Sequence, residues 1–290
     1  MLQFLLTCSM WANFHTHSDY CDGKGTLEDF LKSAENSKIS GIGFSSHAPI
    51  RIPCRWCMKP TDLGRYLAEI EALKTTHPGI EIYKGLEVDF IPGIISPSHF
   101  SSMLDYTIGS IHFVSGYAGK HWEIDGTVAT FREGLQNIFL QNIREAVTRY
   151  FELTREMILK DPPDVLGHLD KIKIQNIPDS FFEESESWYR DEIDKTLKTI
   201  KKSNIIVEVN TRGLYKKKSL TPYPSPWILE RINDLQIPIM LNSDAHHPDD
   251  LIREFKSTAV LLRDIGFKKL STFRNGIWNQ VSFDEYGFDS

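Results

Sequence analysis

Seven short apolar runs, separated by amphipathic stretches, constrain the fold of this chain more than any other feature. The runs are rich in Ile, Val and Leu and mostly lack polar alternation, which is typical of strands buried in a parallel sheet. Repeated β-then-α units predict an α/β fold with helices packed against that sheet. The predicted strands span residues 11–15, 41–46, 81–87, 106–112, 165–168, 205–210 and 239–242.

Helices are predicted between these strands from their apolar periodicity. Thr26 and Asp29 resemble a capping box at the start of the first helix. Residues 127–159 predict either one long helix or two abutting helices. The other predicted helices cover residues 63–73, 184–202, 227–235, 250–255 and 258–264, and a last apolar run follows at 277–283.

Length and composition predict one globular domain over residues 1–290. The chain is 41% hydrophobic and has no Gly/Ser linker, and α/β barrels commonly reach this size as a single unit. Residues 1–9 are interpreted as an extension, with translation starting at Met10 as a hypothesis, because they lack the basic region of a signal peptide. No apolar run reaches the roughly 20 residues of a transmembrane helix, so no membrane partner is expected.

The net charge and the number of cysteines exclude further classes of protein. A net charge of -6 with one tight basic cluster, Lys216–Lys218, argues against nucleic-acid binding and favours a small-molecule substrate. Four cysteines are too few for a disulfide scaffold. Cys54 and Cys57 are interpreted as ordinary loop thiols, with a redox pair or a metal role as alternatives. Free thiols predict a cytoplasmic location, and the oligomeric state cannot be read from the sequence.

Polar residues, mostly of metal-binding types, stand at the end of every predicted strand. In α/β barrels the carboxyl ends of the strands carry the active site. Alternate residues of a strand point the same way, so a His-x-His pair places both rings on one face. Imidazoles mixed with carboxylates suit zinc, manganese or iron. The predicted ligands are His15, His17, Asp22, His47, Glu87, His112, His168, Asp244 and His246.

As a set, these residues resemble the polymerase-and-histidinol-phosphatase (PHP) family over nearly the whole chain. The resemblance implies a distorted seven-stranded β/α (TIM-like) barrel of the PHP type, with three metal ions at the carboxyl ends of the strands. Residues 14–23, 208–213 and 242–248 further resemble monofunctional histidinol-phosphate phosphatases. Those enzymes hydrolyse L-histidinol phosphate to L-histidinol in histidine biosynthesis.

The resemblance also implies how the ligands are shared among three ions of zinc, manganese or iron. One ion takes four ligands, and Glu87 bridges it to a second ion. The implied sets are His15, His17, Glu87 and Asp244; then Glu87, His112 and His168; then Asp22, His47 and His246.

Phosphate monoesters hydrolyse very slowly in water, so a site of this kind must stabilise charge. Arg212 is predicted to clamp the phosphate, because a guanidinium binds phosphate oxygens bidentately; a structural ion pair is the alternative. Asp244 and His246 are counted as catalytic, and His246, His247 or a metal-bound water could protonate the leaving alcohol. Glu208, Asn210 and His247 are predicted to contact substrate, although Glu208 and Asn210 could instead orient the ligands.

Three alternatives remain open at this point. The chain could be a PHP phosphoesterase for another phosphorylated metabolite or nucleotide, since segments 48–58 and 115–127, expected at the pocket mouth, match no known pattern. A metal-dependent amidohydrolase also opens with His-x-His, but that class usually places a modified lysine where Glu87 stands. The third alternative is a metal-stabilised binding module without activity.

Overall fold

The computed structural model describes residues 10–115, 120–177 and 180–289. The predicted extension over residues 1–9 lies outside the described residues. The strands, in chain order, are β1 (Ala12–Asn13), β2 (Gly41–Phe44), β3 (Glu81–Asp89), β4 (Tyr106–Ser110), β5 (Phe113–Ser115), β6 (His121–Glu123), β7 (Val165–Leu166), β8 (Ile206–Asn210), β9 (Ile239–Asn242), β10 (Lys269–Arg274) and β11 (Ile277–Ser282). The helices are α1 (Leu27–Asn36), α2 (Leu63–Thr76), α3 (Val128–Phe139), α4 (Ile143–Lys160), α5 (Ser187–Ser203), α6 (Arg212–Tyr215), α7 (Pro226–Asp234) and α8 (Phe255–Ile265).

Seven parallel strands of the described chain form one sheet, in the order β1-β2-β3-β4-β7-β8-β9. The sheet nearly closes on itself just beyond β1 and β9. There the backbone N–H of His17 donates to the carbonyl of Ala245 at 2.8 Å, and the N–H of Ala245 donates to the carbonyl of His15 at 3.1 Å. The predicted seven-stranded β/α barrel is therefore confirmed, and each strand lies where the apolar runs placed it.

The hairpin of β10 and β11 covers the amino-terminal end of the barrel. Trp278 of this hairpin packs against Phe14 and Tyr106, with ring centroids 6.1 Å apart in both cases. Tyr106 fills the barrel interior and donates to the carbonyl of Phe14 at 2.5 Å. A Cβ atom on Gly43 or Gly85 would come within 2.4 Å of the Tyr106 side chain, so both positions require glycine. The interior of the barrel is consequently closed at the amino-terminal ends of the strands and opens at their carboxyl ends.

Helix boundaries follow local capping and backbone signals. The predicted capping box is confirmed: Thr26 Oγ1 accepts from the N–H of Asp29, and the Asp29 carboxylate accepts from the N–H of Thr26. The stretch 127–159 is two helices, because Leu140 and Gln141 adopt left-handed conformations that end α3 before α4 begins. Together α4 and α5 pack their apolar faces against the barrel.

The predicted helix over residues 250–255 is wrong. The chain makes a short 3-10 helix at Pro248–Asp250, and Glu254 then takes a left-handed conformation with φ of 61°. This residue prevents a continuous helix, so α8 begins at Phe255. Within the described residues, no helix is both long enough and apolar enough to cross a membrane.

Candidate metal centre

The nine predicted ligands converge at the carboxyl ends of the strands, around the carboxylate of Glu87 on β3. Glu87 is almost completely buried and lies within 3.6 Å of five histidines. Its Oε2 atom is 3.3 Å from His15 Nε2, 3.5 Å from His17 Nε2 and 3.1 Å from His47 Nδ1; its Oε1 atom is 3.6 Å from His112 Nε2 and 2.8 Å from His168 Nε2.

Two further carboxylates complete the cluster. Asp244 Oδ1 lies 3.2 Å from His17 Nε2 and 3.4 Å from His246 Nδ1. Asp22 Oδ1 lies 3.2 Å from His246 Nε2 and 3.9 Å from His47 Nε2. Through these contacts His17 and His246 connect the residues around the buried Glu87 carboxylate to the exposed Asp22.

Local structure fixes the orientation of the ligands on the first and last strands. The hydroxyl of Ser45 accepts from the N–H of Thr16 at 3.1 Å, which holds the His-x-His segment against the end of β2. Asp244, just after β9, has a left-handed backbone with φ of 52°. Such a conformation is unfavourable for residues other than glycine and is found preferentially at functional sites. Here it turns the Asp244 carboxylate toward His17.

Unpartnered nitrogen atoms show that the cluster fits metal ions. His15 Nε2, His17 Nε2 and His47 Nδ1 are buried and have no hydrogen-bond partner among the described residues. A buried polar atom left unpaired costs about 1–3 kcal/mol, and a cation between these nitrogens and the nearby carboxylates would offset that cost. Three groups place one donor atom per residue within 4.8 Å of the others: His17, Asp22, His47 and His246; His15, His17 and Asp244; and His47, Glu87 and His112.

These groups differ from the sets that the resemblance implies. His17 and His47 each belong to two groups, whereas the resemblance places each of them on one ion, and Glu87 belongs to one group instead of two. His168 is absent from the three groups but lies beside Glu87, at 2.8 Å. The geometry therefore brings all nine residues together without dividing them among individual ions.

Electrostatics favour the protonation states that metal binding needs. Burial opposes ionisation of Glu87 and Asp244, but His15 outweighs it and holds the pKa of both carboxyls well below the usual range. Burial and the neighbouring His246 lower the pKa of His17 to about 4, and burial with His17 lowers that of His47 to about 3. At neutral pH these groups are carboxylates and neutral imidazoles.

His15 differs, because its pKa is raised in the metal-free structure. Burial lowers this pKa, but the carboxylates of Glu208, Asp244 and Glu87 outweigh burial. A cation bound at Nε2 would displace the proton, and the Glu208 carboxylate would still accept from Nδ1.

Glu208 and Asn210 lie behind the ligands. Glu208 Oε1 is 2.5 Å from His15 Nδ1, and Oε2 accepts from the backbone N–H of His168 at 2.9 Å. Asn210 donates to Glu208 Oε2 at 3.0 Å and to Asp244 Oδ2 at 3.2 Å. Both side chains are completely buried, and both hold predicted ligands in position, as expected under the alternative to substrate contact.

Asp89 has the same function for His112 and was missed in the sequence. Its Oδ1 atom is 3.0 Å from His112 Nδ1 and accepts from the backbone N–H of the same residue at 2.9 Å. The available signal was its position two residues after Glu87 on β3, which places both side chains on one face of the sheet.

Beside the cluster lies a cavity of about 370 Å³. Besides six of the ligands it is lined by Trp56, Asp125, Lys171, Arg212 and Tyr223, among others. A pocket of this size suits a small molecule.

Arg212, at the start of α6, points its guanidinium into this cavity. Its Nη1 atom donates to the carbonyl of Asp244 at 2.9 Å and lies 2.7 Å from His246 Nδ1. Burial opposes the charge, but Asp244 and Tyr215 outweigh it and raise the pKa of Arg212. The residue predicted to bind phosphate is thus a fixed cation at the cavity wall.

His247 lies at the edge of the site. Its side chain is half exposed, and its Nδ1 atom accepts from the N–H of Asp249 at 3.2 Å. It lines a surface groove that adjoins the cavity and shares Asp22, Arg212 and His246 with it. Contact of His247 with substrate stays a prediction.

Lys171 and Asp125 line the cavity and were also missed in the sequence. Lys171 Nζ lies 2.7 Å from Asp125 Oδ2 and 3.2 Å from His112 Nε2. Asp125 belongs to the segment 115–127, which matched no pattern. Lys171 follows the polar end of β7 directly, and this position was the signal that could have identified it.

The interpretation of Cys54 and Cys57 as free thiols is wrong. The loop after β2 folds back so that their Cα atoms are 5.6 Å apart, and the two residues form a disulfide. Between them Trp56 stacks on Phe113, with ring centroids 5.3 Å apart, and reaches the cavity. Cys54 and Cys57 therefore no longer support a cytoplasmic location, because that prediction was based on free thiols.

Comparisons with known proteins agree with this geometry. The sequence model of the PHP domain family matches residues 13–212. A protein of Deinococcus radiodurans named "Probable histidinol-phosphatase" is 27% identical over 271 residues, which cover 90% of this chain and 95% of that protein. The "Histidinol-phosphatase" of Bacillus subtilis is 26% identical over 258 residues, covering 82% and 94%.

A solved structure shares the fold. It is the histidinol phosphate phosphatase of Lactococcus lactis subsp. lactis, crystallised with zinc, L-histidinol and phosphate. The TM-score is 0.66 at 18% sequence identity, and the match covers 97% of this chain and 99% of that one.

Proposed function

Because the chain belongs to the PHP domain family, we propose that it is a metal-dependent phosphoric monoester hydrolase that converts L-histidinol phosphate to L-histidinol and phosphate in histidine biosynthesis. One observation carries this proposal: buried, unpartnered histidine nitrogens surround Glu87 at a cavity that also holds the cations Arg212 and Lys171. Relatives named histidinol-phosphatases, aligned over more than four-fifths of the chain, support the substrate.

The nine clustered residues would hold three ions of zinc, manganese or iron. The proposed sets are His15, His17, Glu87 and Asp244; Glu87, His112 and His168; and Asp22, His47 and His246. When bound, such ions neutralise phosphoryl oxygens as Lewis acids and lower the pKa of water in the site. His17 and His47 each also lie close to the donor atoms of a neighbouring set.

Arg212 binds the phosphoryl group in this proposal. Its position is fixed by the carbonyl of Asp244 and by His246 Nδ1, so little side-chain entropy is lost when substrate binds. A guanidinium stabilises the charge that grows on the phosphoryl oxygens as the ester bond breaks.

Metal coordination argues against His246 as the acid that protonates the leaving alcohol. Its Nε2 atom faces Asp22 and would bind a metal ion. Its single proton would then lie on Nδ1, which is 3.1 Å from the carbonyl of Asp244 and would have that carbonyl rather than the alcohol as its partner. Since His247 does not line the cavity, water remains as the proton donor among the candidates taken from the sequence.

Replacing Arg212 by Ala is expected to lower kcat/KM for L-histidinol phosphate by about 10- to 100-fold. This decrease corresponds to the loss of one hydrogen bond to a charged group, which is worth about 1.5–3 kcal/mol. Metal content should not change, because Arg212 is not a ligand. Steady-state kinetics and elemental analysis of the purified variant measure both. Arg231→Ala, which removes an exposed partner of Asp194, is the control. Unaltered kinetics in Arg212→Ala would exclude the residue from the site.

A panel of phosphate monoesters tests the substrate. We expect kcat/KM to be highest for L-histidinol phosphate, above p-nitrophenyl phosphate, phosphoserine and nucleoside monophosphates, when purified protein is assayed with added zinc, manganese or iron. A nucleotide or another metabolite turned over faster would favour the alternative PHP phosphoesterase. No phosphate release from any ester would contradict hydrolase activity altogether.

The proposal extends to the whole described chain as one domain, because the β10–β11 hairpin packs against Phe14 and Tyr106 at the amino-terminal end of the barrel and Met10 pairs with Phe288. It assigns the reaction to the cytoplasm, since the substrate is an intermediate of amino-acid biosynthesis.

A further inference from the structure

Lys171 is a buried cation whose position the metal centre alone does not explain. It lies on the 3-10 helix Lys171–Gln175 after β7, and it is 4% exposed. Its ammonium group is 3.2 Å from His112 Nε2, the atom that faces Glu87 and would bind an ion. Once His112 coordinates a cation, this nitrogen is no longer available to Lys171. The ammonium group, beside a metal ion, then needs an anionic partner in addition to Asp125.

Asp125 forms an ion pair with Lys171 and is the more exposed of the two residues. It lies in the connection between β6 and α3, its side chain is 32% exposed, and its Oδ2 atom is 2.7 Å from Lys171 Nζ. Both residues line the cavity, together with the apolar surfaces of Trp56 and Ile174. Among the described residues, Asp125 is thus the carboxylate of the cavity wall that is not a predicted metal ligand, and it lies directly beside the Lys171 cation.

We propose that Lys171 and Asp125 form a recognition pair for the two charged groups of an amino-alkyl phosphate. Lys171 contacts a phosphoryl oxygen, and Asp125 accepts from the ammonium group on the carbon next to the phosphorylated CH₂ group. This inference rests on the proposed function and specifies the substrate class of the same site.

Charge balance explains why both members are needed. In the free protein the two groups neutralise each other, which makes their burial tolerable. A bound phosphate takes the charge of Lys171 and leaves the Asp125 carboxylate uncompensated. An ammonium group on the same substrate restores the balance, whereas an ester without an ammonium group does not.

The two products of the reaction, inorganic phosphate and L-histidinol, test the contacts of Lys171 and Asp125 separately. Lys171→Met is expected to weaken the binding of inorganic phosphate, and to lower kcat/KM for both L-histidinol phosphate and p-nitrophenyl phosphate, by about 10- to 100-fold. Asp125→Asn is expected to weaken inhibition by L-histidinol and to lower kcat/KM for L-histidinol phosphate about tenfold. It should not lower kcat/KM for p-nitrophenyl phosphate, because that ester carries no ammonium group and leaves the Asp125 carboxylate uncompensated. Calorimetry on the metal-loaded protein measures phosphate binding directly.

Controls distinguish recognition from a structural effect. Lys74→Met removes a lysine of similar pairing, 3.1 Å from Asp105 and remote from the cavity, and should leave every parameter unchanged. Lys171→Arg should keep phosphate binding within a few-fold of the wild type. Lys171→Gln, which also removes the charge and has the same expected loss, replaces Lys171→Met if that variant does not fold.

The proposal is overturned if both variants weaken phosphate and L-histidinol equally, if Lys171→Met loses metal, or if neither variant changes binding. Failure of the wild type to hydrolyse L-histidinol phosphate would refute the proposed function separately. The binding of phosphate and of L-histidinol would then still decide the assignment of the pair.

Discussion

Glu87→Gln is expected to lower phosphatase activity by at least about a thousandfold and to empty the metal centre. The Glu87 carboxylate lies within 3.6 Å of five histidines, more than any other side chain of the cluster. Glutamine preserves the volume but replaces one oxygen by an NH₂ group that cannot bind a cation. Loss of several kcal/mol of charge stabilisation corresponds to a decrease of this size. Kinetics with L-histidinol phosphate and elemental analysis provide the two measurements.

A second glutamate variant serves as the control for Glu87→Gln. Glu156→Gln alters a partly exposed carboxylate that pairs with Lys160 on α4, and it should retain wild-type activity and metal. Thermal unfolding of both variants shows whether the barrel is intact. Normal metal content together with more than a tenth of wild-type activity in Glu87→Gln would refute the central position of this residue.

The fold and the convergence of the nine predicted ligands could be predicted from the sequence because both depend on short-range regularities. Buried parallel strands give apolar runs, and the end of each run marks the carboxyl edge of the sheet. The histidines and carboxylates that follow these runs must therefore meet in space. Glu87, on β3, and Asp244, just after β9, lie far apart in sequence but were placed together by this reasoning alone.

The cavity wall could not be predicted because it is built from loops. Asp125 and Lys171 come from two separate connections, and no periodicity determines how such segments approach one another. The pairing of Cys54 with Cys57 likewise depends on the turn that this loop takes. The orientation of His247 likewise depends on local structure. The N–H of Asp249, in the 3-10 helix that starts at Pro248, donates to His247 Nδ1 and holds this side chain at the edge of the cavity.

The division of ligands among ions is a third level that sequence does not encode. His17 and His47 lie within reach of two groups of donors each, at separations that differ by less than an ångström. Differences of this size depend on side-chain rotamers and on hydrogen bonds from residues such as Glu208 and Asp89.

Removing the ions with a chelator is expected to inactivate the protein and to lower its stability. Three buried nitrogens then lose their partners, and the closely packed histidines and carboxylates lose the cations that hold them together. An ion present at a thousand times its Kd stabilises the folded state by about 4 kcal/mol. Unfolding measured by circular dichroism should show a lower midpoint without metal, and zinc, manganese or iron should restore both activity and midpoint. An unchanged midpoint with full activity in chelator would exclude a metal centre.

Acidification should have the same effect on the metal-loaded protein, because protons compete with cations for the histidine nitrogens. In the metal-free protein, burial lowers the pKa of His17 to about 4 and that of His47 to about 3. Their contribution to stability is complete above the unfolded value near 6.5 and is lost as the pH falls toward about 4. His15, whose pKa is raised, contributes in the opposite direction. His47→Gln should therefore reduce the loss of stability of the metal-free protein between about pH 6.5 and about pH 4. The exposed His99→Gln should not, and an identical pH profile for both variants would contradict the assignment.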